Sequence, residues 1–530
     1  MNTHDRVEAR TALDEAMASA DSSRIAVVAS TYAWALVSMD YDALVAALAA
    51  LPNASLEEHL VLRVVHPTAL VTGRSHALPV PTPVDSELAE LDDQRLADHL
   101  HTHLVAHRRN GDIHTAMTYA ERLDHLLHQP RVPTVSDSSG PLPLFHYQLG
   151  VTYLLAGHTL RALRGLSAAQ QLAALDPDNH VQRAAITRMA VAHAMRGSMF
   201  DAATSLALVT TLPEPSRFFQ ACTPSSERLA RALVALERMD ADLPDLMDAV
   251  SALDAPDELW PCVMHARARY ALAVALPASA LEAVRLAQHS RLIQPGTLAD
   301  DVGTSAMVDA YHALDERAAA ERLLDERHDL SDTGPGPFTR IARVRHLLHR
   351  GESAAAAAEC RALSGSDSLP LGARSEVLLL FIWSTQRLDQ PLNKAQAGAA
   401  AQLVIGGHRR RLFTTIPRDV VDAIAAELDD EEDEFRRLLE GLRFAHPLPS
   451  RPALTPGESK VLAALLTHST TAEIARALFV SPNTVKTQLA SIYRKLGVNG
   501  RKDAVGMAEK LHLVSSEDAA IATEGADVGA

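Results

Sequence analysis

From Leu454 to Val514, apolar positions recur at helical spacing in four short runs, each with its own start signal. Thr455-Pro456-Gly457-Glu458 puts Thr at the N-cap, Pro at the first helical position and Glu at the third, which predicts a capping box. Thr470-Thr471-Ala472-Glu473 predicts a second, opening a short helix that ends near Leu478. Phe479-Val480 leads to Ser481-Pro482, an N-cap followed by proline. The third helix then runs from Asn483 to Leu496 and is stopped by Gly497. After the Asn499-Gly500 turn, a last helix covers about Lys502 to Leu513. Two helices joined by a turn of three or four residues, inside a small bundle, make a helix-turn-helix layout.

Periodicity assigns the faces of the third helix. Val485, Leu489, Ile492 and Leu496 fall at i, i+4, i+7 and i+11, one apolar stripe that turns inward. The opposite face carries Asn483, Thr487, Ala490 and Arg494, with Lys486 on its flank. It is small and polar near the helix start, which suits deep entry into a DNA major groove. Lys486, Arg494 and Lys495 can reach phosphates. On its own this face could equally be the solvated side of an ordinary bundle.

Charge separates the two readings. Residues 451–514 hold nine Lys and Arg against four Asp and Glu, a net of +5, whereas the whole chain stands at −16. With four acids after Val514, residues 1–450 are left at −17. Only Lys394 among the lysines lies outside the C-terminal region. A small basic module on a strongly acidic body is the electrostatic footprint of local DNA contact without general polyanion binding.

The segment resembles the LuxR-type helix-turn-helix of bacterial transcription regulators. The matching residues are Leu454-Thr455, Glu458, Val461-Leu462, Glu473-Ile474-Ala475, Leu478, Ser481, Thr484-Val485-Lys486, Ile492, Lys495-Leu496, Val498, Arg501 and Ala504-Val505, about an eighth of the chain. The resemblance implies that Lys486 and Thr487 contact DNA, with Ala490 one turn further facing the groove. The candidate interface is therefore Ser481, Asn483, Thr484, Lys486, Thr487, Ala490, Arg494, Lys495 and Arg501. The last helix, through Ala504, Val505, Ala508 and Leu511, resembles the family's dimerisation helix. Departures fall at Gly457 (usually Arg), His468 (usually Gly), Ala472 (usually Lys) and Gln488 (usually His), and at Ala490, where many members are basic or polar. Lost charge at 472 and 490 bears on affinity and target sequence more than on fold.

The first 445 residues are rich in alanine and leucine, poor in aromatics and without alternating strand patterns, so the fold class is all-α. Several segments place a bulky ring nine residues before an alanine across a polar or glycine turn: Trp34 and Ala43, His107 and Ala116, Tyr153 and Ala162, His193 and Ala202, Tyr311 and Ala320. Around Gly150 the pattern widens to Leu149-Gly150, Tyr153, Ala162, Leu166 and Ala169. This resembles degenerate tetratricopeptide repeats, with a period of forty between Tyr153 and His193. The alternative is an irregular helical array. The expected architecture is a helical-repeat solenoid followed by a small four-helix helix-turn-helix domain.

Punctuation places sub-boundaries near 79–84, 131–144 and 333–338, a proline-rich linker at 446–453, the DNA-binding domain at 454–514 and a disordered tail at 515–530. The acidic run 429–434 reads as a solvated helix start; as a DNA mimic it would instead cover the basic face in an off state. No G-x-x-x-x-G-K-[ST] occurs, so the nucleotide switch of the family's large ATP-binding members is missing, and no receiver-like pattern opens the chain. Cys222, Cys262 and Cys360 form no metal motif, and no cofactor is implied. His99, His103 and His107 share one helix face but lack a fourth ligand at matching spacing. Without a membrane-length apolar run or a signal peptide, the chain reads as cytoplasmic.

These features predict a regulator that binds double-stranded DNA as a homodimer through its C-terminal helix. The body would receive a protein, peptide or small-molecule effector, and RNA polymerase is a candidate partner. The rival is an interaction scaffold whose helix-turn-helix contacts a protein such as polymerase. No constellation supports an enzyme.

Overall fold

A computed structural model describes residues 3–67, 80–81, 88, 90–128, 141–175, 180–220, 222–251, 258–329, 334–366, 369–444, 454–496, 498 and 500–510. The described residues form helices and no strand. Two compact units emerge: residues 1–346 with 356–445, and residues 446–530 with the short stretch 347–355. The linker 446–453, the tail from 511 onward and most of the loops near 79–84 and 131–144 lie outside the described residues.

The body is an array of antiparallel helix pairs. They include Asp93–Arg109 with Ile113–Leu127, Leu142–Leu155 with Thr159–Ala173, and Val181–Arg196 with Met199–Val209. Trp260–Ala273 with Pro277–Ser290 and Leu298–Ala313 with Arg317–Asp329 continue the series. Each ring-to-alanine spacing in these pairs straddles the turn between two partners. Ala116, Ala162, Ala202 and Ala320 are fully buried, which lets the second helix lie close on the first. The shorter helices Ala33–Met39 and Tyr41–Ala50 hold Trp34, whose indole N–H donates to Thr102 at 3.0 Å. The first helices of successive pairs begin at Leu142, Val181, Thr223, Trp260 and Leu298, close to the forty-residue cadence.

Successive layers meet across the array. Gln294 accepts the N–H groups of Ile113 (2.6 Å) and His114 (3.1 Å) and donates to Asp112 (3.0 Å). A β-carbon on Gly197 would lie 2.4 Å from Cα of Gly372, so two backbones distant in sequence touch there. Inside, the first helices carry buried ions that patterning did not show. Asp309 takes Arg345 at 2.7 Å and Arg269 at 2.5 Å, Arg345 also bonds Glu376, and Glu237 takes Arg411 at 2.5 Å and Arg409 at 3.4 Å. Burial alone would raise the Asp309 carboxyl, but Arg345 and Arg269 hold it below the usual range. Such ions tolerate burial only when paired.

The histidine row packs as rings: His103 and His107 stack on Tyr119 with centroids 5.0 and 5.4 Å away. Burial, followed by the neighbouring histidines, pushes His103 down to about 3. Among the described residues no group of three His, Cys, Asp or Glu is placed to hold a metal. The acidic run forms the turn into helix Glu432–Leu438, with Asp429 on Lys394 (3.0 Å), Glu431 on Gln402 (3.3 Å) and Glu432 on Arg436 (2.9 Å). No helix among the described residues is long and apolar enough to cross a membrane.

Candidate nucleic-acid interface

The head assembles from the start signals in its sequence. Helix Pro456–Thr467 opens with a complete capping box: Thr455 accepts the Glu458 N–H at 3.3 Å, and Glu458 accepts the Thr455 N–H at 2.6 Å. Helix Thr471–Ala477 opens with a second, in which Thr470 accepts the Glu473 N–H at 3.2 Å and Glu473 the Thr470 N–H at 3.0 Å. Ser481 caps the third helix, Pro482–Leu496, by accepting the Thr484 N–H at 3.0 Å. The last helix is Arg501–Lys510.

The third helix presents one face to the core and the other to solvent. Val485, Leu489, Ile492 and Leu496 pack with Val461, Leu462, Leu465 and Ile474. Asn483, Lys486, Thr487, Ala490 and Arg494 are exposed, as are Ser481 and Thr484 at the helix start. Thr487 donates its hydroxyl to the Asn483 carbonyl at 3.0 Å, which fixes its rotamer and leaves its oxygen free to accept. Lys486 and Arg494 put positive charge at both ends of this surface. A helix offering small polar groups at its start and cations along its edges can meet base edges and phosphates together.

Two expected contacts are engaged inside the domain. Lys495 reaches back to Glu458 at 2.6 Å, tying the third helix to the start of the first. With the Lys495 ammonium and the Thr455 N–H upon it, the Glu458 carboxyl falls to about 2. Arg501 donates to the carbonyls of Ser469 (3.0 Å), Leu465 (2.5 Å) and His468. The last carbonyls of a helix have no partner within it, and a guanidinium fork satisfies several at once. Lys495 therefore braces the third helix against the first, and Arg501 braces the start of the last helix against the end of the first. The residues expected at a dimer interface divide between core and surface. Ala504 (0 % exposed) and Ala508 (1 %) are buried in the head's own core, because the last helix must pack on the first and third to close so small a bundle. Val505 is half-buried, and Leu511 lies outside the described residues.

Sequence reasoning missed two features. Gln488 extends over Gly457, where a β-carbon would lie 2.8 Å from its amide nitrogen. The departures at 457 and 488 thus meet in space. Phe479 stands exposed in the turn, a position where glycine is the common choice.

A buried-stripe helix held by two capped helices, with its polar and basic face open, defines a helix-turn-helix protein. The family described as bacterial regulatory proteins, luxR family, matches residues 452–508. The spore germination protein GerE of Bacillus subtilis is 45% identical over 56 residues, 11% of this chain and 76% of GerE. The chain belongs to the luxR family of bacterial regulatory proteins. The CsgBAC operon transcriptional regulatory protein of Escherichia coli is 44% identical over 55 residues, 10% of this chain and 26% of that protein. The probable csgAB operon transcriptional regulatory protein of Salmonella typhimurium matches to the same extent. Among solved structures, the TPR domain of P58(IPK) covers 66% of this chain and 99% of its own, at 12% identity and a TM-score of 0.24. The repeat architecture of the body rests on its own helix pairs.

Proposed function

We propose that this protein is a transcriptional regulator that binds double-stranded DNA in a sequence-specific manner, with the third head helix in the major groove. The observation that carries this reading is the exposed face of Asn483, Lys486, Thr487, Ala490 and Arg494, opposite a stripe committed to the core. Asn483 and Thr487 offer hydrogen bonds to base edges, Ala490 allows close approach, and Lys486 and Arg494 supply the charge. Ser481 and Thr484, exposed at the start of that helix, would meet backbone phosphates. The two csg operon relatives are named as transcriptional regulatory proteins, which supports the same reading.

Two such heads would read an inverted repeat. With Ala504 and Ala508 committed inward, a dimer through the last helix would use its outer side, where Lys502 and Gly506 are exposed. The body would act as the receiver of a protein, peptide or small-molecule signal, since helical repeats bury little of their long surfaces and commonly serve as binding platforms. The test is selection of fragments from the protein's own genome, followed by mobility shifts at several salt concentrations. Recovery of a shared inverted motif with steep salt dependence supports the reading. Recovery of no motif, together with co-purifying polymerase, would favour the scaffold reading instead.

A further inference from the structure

The turn between the second and third head helices carries a side chain that folding does not need. Phe479 follows the C-cap Leu478 with φ +53°, in the left-handed region that a β-carbon disfavours and glycine fills without strain. The residue is 87% exposed and lies outside the head core, whose half-buried rim is Leu454, Leu478, Tyr493, Val498, Val505 and Met507. Val480 beside it is 40% exposed. The backbone alone makes the turn: the Phe479 N–H donates to the Arg476 carbonyl at 3.3 Å and the Val480 N–H to Ala475 at 3.0 Å. Both bonds would form with glycine in place. The side chain therefore strains the backbone through its β-carbon and returns almost no burial to the fold.

The surroundings of the ring indicate what covers it. It stands at the start of the third helix, directly before exposed Ser481, Asn483 and Thr484. The exposed charges that flank it along the chain, Arg476 and Lys486, are both positive. An apolar tip between cations, continuous with the recognition face, fits a polyanion that also offers apolar groups at its groove edge. DNA does so, through thymine 5-methyl groups and deoxyribose carbons beside the phosphates. We propose that Phe479 packs against a thymine methyl and its sugar at the edge of each half-site, adding affinity and a preference for A·T pairs there. This rests on the DNA-binding reading above.

The test uses the full chain, a genome-selected fragment and the same fragment with uracil replacing thymine at the half-site edges, which removes only the methyl groups. Phe479→Gly should weaken binding to the thymine fragment by about five- to tenfold, the effect of exposing part of one aromatic side chain. Its log–log salt slope should match wild type, because no phosphate contact is lost. Hydrogen-exchange protection of residues 471–496 should stay equal or rise, since the strain is relieved. Uracil should weaken wild type and leave Phe479→Gly unchanged. Phe479→Asn, whose side chain tolerates the same backbone, should behave as the glycine variant does and covers the case in which glycine loosens the turn. If both variants bind both fragments as wild type does, the ring does not touch DNA and a protein partner becomes its occupant. Lys486→Ala runs alongside: if it too leaves binding unchanged, the DNA-binding reading fails first, and the two failures are told apart.

Discussion

The body's repeat packing makes its sharpest prediction at a crossing of two glycines. Helices Leu142–Leu155 and Thr159–Ala173 meet with Gly150 facing Gly165. A β-carbon on Gly150 would lie 2.6 Å from Cγ of buried Leu166 and 3.0 Å from the Ala162 carbonyl. One on Gly165 would meet only backbone, the His146 carbonyl at 3.0 Å and N and Cα of Gly150 at 3.1 and 3.2 Å. Alanine in a helix gains about 0.8–1 kcal/mol over glycine from propensity alone. Overpacking a close interface costs about 1–3 kcal/mol. At Gly150 the Leu166 side chain must shift by roughly an ångström, and at Gly165 the two helices themselves must separate, since backbone cannot rotate away. Both Gly150→Ala and Gly165→Ala should therefore lose the propensity gain and be destabilising by a net of up to about 2 kcal/mol. Gly398, in helix Lys394–Ile405, has nothing within 4 Å of such a β-carbon. Gly398→Ala should stabilise by up to about 1 kcal/mol. The double variant at 150 and 165 should cost less than the sum, because one separation relieves both contacts. Urea denaturation of the full chain followed by circular dichroism reads all four as midpoint shifts at unchanged slope. Equal upward shifts for all three single variants would refute this crossing, and with it the close packing inferred from Leu149-Gly150, Tyr153 and Ala162.

Charge in the head and in the body sets two further outcomes. Glu458 has a folded pKa of about 2 against an ordinary 4.5, so its contribution to stability is complete above about 4.5 and is lost as pH falls towards 2. The difference in melting temperature between wild type and Glu458→Gln should thus be full at pH 6 and close across that window; a difference that persists below pH 2 would contradict the Lys495 tie. Residues 1–450 carry −17 and repel DNA at range, so residues 450–530 alone should bind the selected fragments more tightly than the whole chain, with the gap narrowing as salt rises; equal affinities at low salt would reject that effect of the body.

Much of the head was legible because its signals are local. A capping box spans four residues, and an apolar stripe repeats within one helix, so Thr455, Thr470, Ser481 and the Val485 stripe could be read directly. In the body, the ring-to-alanine spacing crosses only one turn, and it found the helix pairs. Contacts between residues distant in sequence stayed hidden. Nothing near Lys495 points to Glu458, and nothing near Arg501 points to the carbonyls at 465–469. A cation read within its own helix shows its charge but not the distant group it meets. Ala504 and Ala508 enter the expected interface through the family resemblance alone, and nothing in their own short helix announces the core that buries them. The inner ladder of Asp309, Arg345 and Glu376 is likewise a product of stacking: each member looks like a surface charge in its own helix. Phe479 did carry a signal, an aromatic where a helix end prefers glycine, but it takes the observed φ to give that signal meaning.

If the exposed face of the third helix holds DNA, Lys486 is the side chain whose loss shows it most directly. Lys486 is exposed beside Val485, so Lys486→Ala removes a charge without touching the stripe. Affinity of the whole chain for a selected fragment would be measured from 50 to 200 mM salt, with Lys394→Ala as a control on the body. Wild type should show a log–log slope of about −4 to −8. Lys486→Ala should lose about 1–3 kcal/mol of binding and roughly 0.9 of slope per protomer, while Lys394→Ala leaves both unchanged. Unchanged affinity and slope for Lys486→Ala, with native circular dichroism, would contradict the recognition face assigned here.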